Sequence, residues 1–193
     1  MFGLARAPRL SVKTYATSAD FCRIFERDMD RLYLLSLLLT GNHKAAEECF
    51  VQGLGASKAS NPVFKEWAES WARRTIVQKA IRMIRPRPTD MAASSEGADR
   101  DRLQPAEAAA ILRLPAFDRF AYVLSVLEGY PLQECALLLD CTRGEIVTAR
   151  MRALQEVVKS LEFHGKTNSI DLQNRSLRVD GHIDGPSHLA ATA

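Results

Sequence analysis

The sequence predicts an all-α protein of two small helical domains, a three-helix bundle and a helix-turn-helix domain, joined by a flexible linker. Three observations predict it. Apolar residues recur at three- and four-residue intervals over most of the chain, the spacing of one helix face. Alternating runs of β-branched and aromatic residues bounded by turn chemistry are scarce. A Pro- and Ser-containing stretch divides the periodic part in two. The divisions fall at 1–16 (flexible N-terminus), 17–85 (first helical domain), 86–104 (linker), 105–163 (helix-turn-helix domain) and 164–193 (a disordered tail without sustained period).

Composition sets the bounds. A chain of 193 residues with 47% hydrophobic content can fill packed cores. The richest apolar run, Leu32 to Leu39, is far shorter than the roughly 18 residues a membrane helix needs. Met1 to Lys13 lacks the apolar core and cleavage site of a secretory signal, so a soluble cytoplasmic protein is expected, with no membrane partner. Cys22, Cys49, Cys135 and Cys141 are widely separated and form no C-x-x-C pair, which reads as small core residues rather than zinc ligands or disulfides.

In the first domain, Phe21, Ile24, Phe25, Leu32, Leu35 and Leu39 predict one amphipathic helix, with Ser18 as its cap and Gly41-Asn42 as its end. Ala46, Cys49, Phe50, Gly53 and Leu54 predict a second, shorter helix, broken in the run Gly53 to Asn61. Phe64, Trp67, Trp71, Val77, Ile81 and Ile84 mark the apolar face of a third, while Arg74, Gln78, Arg82 and Arg85 fall on another face. Trp67 and Trp71, one turn apart, read as core rather than as a base-stacking platform. The net charge of +3 hides a concentration: Arg73, Arg74, Lys79, Arg82, Arg85 and Arg87 lie between Ala72 and Thr89 with no acidic residue among them. Such a face suits a polyanion; the plainer alternative is a solvated basic helix.

In the second domain, Leu114, Phe117, Phe120, Ala121, Leu124 and Leu127 form a stripe that stops at Glu128-Gly129-Tyr130-Pro131. A short helix, Leu132 to Leu139, follows. Thr142 then caps a further helix while Glu145 reaches back in a capping box. A short helix, a turn of a few residues and a longer helix carrying Arg143, Arg150, Arg152 and Lys159 make a helix-turn-helix, whose second helix enters the major groove.

Leu114-Pro115, Leu127-Glu128-Gly129, Gln133 to Ala136, Leu139 to Thr142, Gly144-Glu145-Ile146 and Arg152-Ala153 resemble region 4 of sigma factors of the extracytoplasmic function type. Leu39 to Asn42, Ala46-Glu47-Glu48, Phe64, Trp67, Trp71, Ala72 and Arg73 resemble a degenerate region 2 of the same family. The two matches together cover most of Asp20 to Leu161. The resemblance implies a transcription initiation protein with core RNA polymerase and promoter DNA as partners, an anti-sigma factor as a further one, and no cofactor or small-molecule substrate. It implies that Glu47, Glu48 and Gln52 face the polymerase. Arg73, Arg74, Gln78 and Arg82 would meet the downstream promoter strand, and Thr142, Arg143, Glu145 and Thr148 the upstream major groove, with Arg152 nearer the backbone. Arginine suits guanine edges and phosphates, and glutamate can accept from cytosine.

The chain departs from the family in two places. Between Gln52 and Trp67 it is shorter than the family's strand-opening segment. Val147 and Ala149 stand where Lys and Arg are common, and Arg150 stands where a buried Leu is common; the apolar seam can be rebuilt one residue along, through Val147, Met151, Leu154 and Val158. These departures keep a second reading open, a sigma-mimicking protein that binds an anti-sigma factor or polymerase without opening promoters. No catalytic nucleophile motif or phosphate-cradling glycine loop is present, so an enzyme is not expected, and His182 beside Asp180 and Asp184 reads as chance composition rather than a metal site.

Overall fold

The computed structural model describes residues 14–59, 62–89 and 106–179, the last stretch as backbone alone from residue 163. These residues are all-helical. They form α1 (Ser18–Arg27), α2 (Met29–Thr40), α3 (His43–Lys58), α4 (Ala68–Ile84), α5 (Ala106–Leu112), α6 (Ala116–Tyr122), α7 (Leu132–Leu138) and α8 (Arg143–Val179). A 3-10 turn, Lys65–Trp67, leads into α4, and a π-helical turn, Val123–Leu127, extends α6. Among the described residues, the only β pairing is an isolated antiparallel bridge between Tyr15 and Phe64.

Four local features differ from the sequence expectation. The first cap is Thr17 rather than Ser18: its hydroxyl accepts from the Asp20 N–H at 3.2 Å, and Asp20 Oδ2 accepts from the Thr17 N–H at 2.8 Å. The expected single helix from Ser18 to Leu39 is kinked into α1 and α2 at Asp28 (φ −103°, ψ 23°), whose carboxylate is held by Arg27. The second helix, expected to be the shorter one, spans 16 residues: it runs through Gly53 and ends at Lys58, inside the expected run Gly53 to Asn61. Gly53 is buried in mid-helix, where an added Cβ would lie 2.8 Å from Ile76 Cγ1, so this glycine lets α3 and α4 approach. Finally, α8 continues through residues assigned to the tail, because no proline follows Arg143 before Pro186 and the lone Gly165 does not stop a helix. The N-terminal residues 1–13, linker residues 90–104 and tail residues 180–193 lie outside the described residues.

Helices α1 to α4 pack around Phe25, Leu35, Leu39, Cys49, Ile76 and Val77, with a buried hydroxyl pair, Ser57 and Thr75, 2.7 Å apart across α3 and α4. Helices α5 to α8 pack around Ile111, Phe117, Phe120, Leu124, Cys135 and Ile146. Burying side chains of this size contributes about 1.5–3 kcal/mol each. The two groups also touch each other, α2 against α5 and α6. The apolar core runs continuously from one group into the other. Arg119 of α6, 2% exposed, donates from Nη2 to the Leu39 carbonyl at 3.4 Å and from Nη1 to the Leu114 carbonyl at 3.1 Å. Its cation therefore sits at the carbonyl end of α2, where the helix dipole favours positive charge.

Candidate nucleic-acid interface

The α7–α8 junction is built by local chemistry. Asp140 adopts a left-handed backbone (φ 50°), and the Cys141 N–H donates to the Ala136 carbonyl at 3.0 Å, which ends α7 and reverses the chain. Thr142 and Glu145 then form the expected capping box. Glu145 Oε2 accepts from both the Thr142 N–H and its hydroxyl at 2.8 Å, and the Glu145 N–H donates to Thr142 Oγ1 at 3.2 Å. These bonds, the backbone one foremost, hold the Glu145 carboxyl below the usual carboxylate range.

The buried seam of α8 is Ile146, Ala149, Ala153 and Val157. This excludes the alternative seam one residue along: Val147 is 41% exposed, Met151 52%, and Val158 is also exposed, with Leu154 half-buried. Packing against the core selects between two apolar stripes that the sequence presents side by side. The outward face of the first two turns of α8 therefore carries Gly144, Val147, Thr148 and Met151.

Of the residues assigned to upstream DNA, Arg143 is exposed and Thr142 caps the helix. Thr148 is exposed, its hydroxyl donating to the Gly144 carbonyl at 2.9 Å. Arg152, which the resemblance assigns nearer the DNA backbone, is engaged within the protein. It forms a two-pronged ion pair with Asp118 of α6, Nη2 to Oδ1 at 2.6 Å and Nε to Oδ2 at 3.0 Å. Asp118 is buried, and the hydrogen bonds that Arg152 donates to this carboxylate push the Arg152 pKa up despite partial desolvation. Arg152 thus ties α8 to α6.

Of the residues assigned to the downstream strand, Arg73 and Arg82 are exposed, while Gln78 is half-buried. Ala72, Ile76 and Ala80 bury the other face of α4. Arg74 Nη1 is bound to Glu134 Oε1 of α7 at 2.7 Å, a contact between residues 60 positions apart. The aromatic pair departs from expectation: Trp71 is half-buried, but Trp67 is 56% exposed and meets Phe64 edge to face. With Tyr130 and Arg74 they line a groove of about 890 Å³ where α4 meets the α6–α7 turn. On α3, Glu47 and Glu48 are exposed and Gln52 is half-buried, its amide donating to Glu48 Oε1 at 2.9 Å. Ala46, Cys49, Gly53 and Ser57 bury the opposite side.

Sequence reasoning missed Glu134 and Asp118, the acidic partners of two predicted DNA-facing arginines. No local spacing signals them, since both pairs close through tertiary packing. Among the described residues no three His, Cys, Asp or Glu side chains gather to hold a metal ion, and Asp180, His182 and Asp184 lie outside them. No described helix is long and apolar enough to cross a membrane. No protein-family model matches the chain, and no curated protein matches it in sequence.

Proposed function

We propose that the chain is a sigma-like transcription initiation protein of the cytoplasm, a binding protein rather than an enzyme, that joins core RNA polymerase and docks α8 on promoter DNA. The observation that carries this reading is the capped start of α8: Thr142 and Glu145 open an exposed helix directly after the tight turn from α7, with Arg143 exposed at its head. The acid-free basic stretch of α4 supports it by offering Arg73 and Arg82 to a phosphate backbone. Glu47, Glu48 and Gln52 on α3 supply a separate polar surface for the polymerase. The test is reconstituted transcription: the purified chain with core polymerase is expected to give specific transcripts from some genomic promoters. A chain that binds core polymerase and never supports initiation would sink the reading.

A second reading, a sigma-mimicking protein that engages an anti-sigma factor or polymerase without opening promoters, is favoured by Val147 and Met151 on the outward face of α8. Apolar side chains there suit a protein partner better than phosphates. Under this reading Val147→Asp with Met151→Asp abolishes capture of the partner and leaves the fold intact. Under the first, it lowers promoter-specific transcription.

A further inference from the structure

The basic stretch of α4 and the helix-turn-helix meet through opposite charges. Arg74 is half-buried and its guanidinium is bound at 2.7 Å by the Glu134 carboxylate, which α7 carries across from the other helical group. The same two groups are also held by Arg119, which reaches from α6 to the carbonyl end of α2 over Gly41. Glycine suits this position on two counts. Its φ is +88°, and an added Cβ would lie 2.8 Å from Arg119 Nη2. The contact is therefore specified in both strands of the sequence that form it: a glycine on one side, an arginine on the other.

A carboxylate on an arginine presents the same two-oxygen acceptor that a phosphate would present. We propose that this arrangement is a closed, self-masked state, in which Glu134 occupies Arg74 in place of a nucleic-acid phosphate and the Arg119 contact holds the two groups shut. The proposal rests on reading α4 as a nucleic-acid-facing helix. It makes Glu134 an intramolecular competitor for polyanions: a bound nucleic acid must displace this carboxylate to gain Arg74. Arg73 and Arg82, exposed on the same helix, provide the initial attraction.

The experiment uses the full chain, its Glu134→Gln variant and the Arg74→Gln/Glu134→Gln double variant, each titrated against a random-sequence DNA, duplex and single-stranded, over a range of salt. Glu134 is partly exposed, so its amide variant keeps the fold, which circular dichroism checks. Glu134→Gln is expected to bind DNA about two- to fivefold more tightly, the range of one partly exposed ion pair, and to steepen the salt dependence by about one counterion. The double variant is expected to lose the gain. A Glu134→Gln chain that binds no better than the parent, or a gain that survives removal of Arg74, overturns the proposal. Random-sequence DNA keeps this separate from promoter recognition. A gain here with no transcripts in the reconstituted assay defeats the initiation reading and leaves self-masking standing, and the reverse result does the opposite.

Discussion

Arg119 lies with its guanidinium against Gly41, so that a cation from α6 closes the carbonyl end of α2. Burial lowers the Arg119 pKa to about 10, which still leaves the side chain charged at neutral pH. Gly41→Ala is expected to destabilise the fold by about 1–3 kcal/mol, because it forces a left-handed backbone on an L side chain and pushes its Cβ into Arg119. Urea unfolding with an unchanged m value checks this. A neutral result would mean that the α2 end and Arg119 move apart freely.

Two glycines of one helix give opposite expectations. Gly53→Ala places a methyl against Ile76 and is expected to cost about 1–3 kcal/mol through overpacking. Gly55→Ala meets nothing within 4 Å and is expected to stabilise α3 by up to about 1 kcal/mol, the difference in helix propensity. Thermal melts of the two variants settle both signs.

Removing Arg152 strands the buried Asp118 carboxylate. Arg152→Ala is expected to destabilise by roughly 2–4 kcal/mol, below the cost for a fully enclosed pair because the arginine is partly exposed. A double-mutant cycle with Asp118→Asn is expected to show coupling above about 1 kcal/mol. If Arg152→Ala left stability unchanged and weakened only DNA binding, the ion pair would have no structural role.

Acid is expected to loosen two helix starts. The Thr17 backbone hydrogen bond foremost, its hydroxyl and Lys65 bring the Asp20 pKa down to about 2, and Glu145 is lowered in the same way by Thr142. Both carboxyls have depressed folded-state values. Their stabilisation is therefore present above the ordinary carboxylate pKa of about 4 and is lost as pH falls from there through the folded value. Hydrogen exchange at the first turns of α1 and α8 is expected to quicken over that window. Asp20→Asn and Glu145→Gln should each remove the pH dependence at one helix and not at the other.

The Thr142 box was readable in the sequence because all its bonds close within four residues. The short helix before it and the apolar stripe from Leu114 to Leu124 were readable for the same reason, as periodic patterns on one element. The seam of α8 was not. Ile146, Ala149, Ala153 and Val157 compete with Val147, Met151, Leu154 and Val158, and the surfaces of α5, α6 and α7 decide which stripe is buried. The end of α3 within the run Gly53 to Asn61 was readable, but the packing role of Gly53 was not, because the Ile76 side chain it makes room for belongs to another helix. Arg74 and Arg152 looked available to DNA because Glu134 and Asp118 stand 60 and 34 positions away. Charge on a face is legible from sequence; whether the protein already satisfies it is a property of the assembled fold.

The groove between α4 and the α6–α7 turn has Trp67 and Trp71 in its wall, and the chain has no other tryptophan. Its whole indole emission therefore originates at the seam between the two helical groups. Were the two groups to separate, the half-buried Trp71 would gain water and its emission would shift, so the native protein carries an optical gauge of that opening without an added dye.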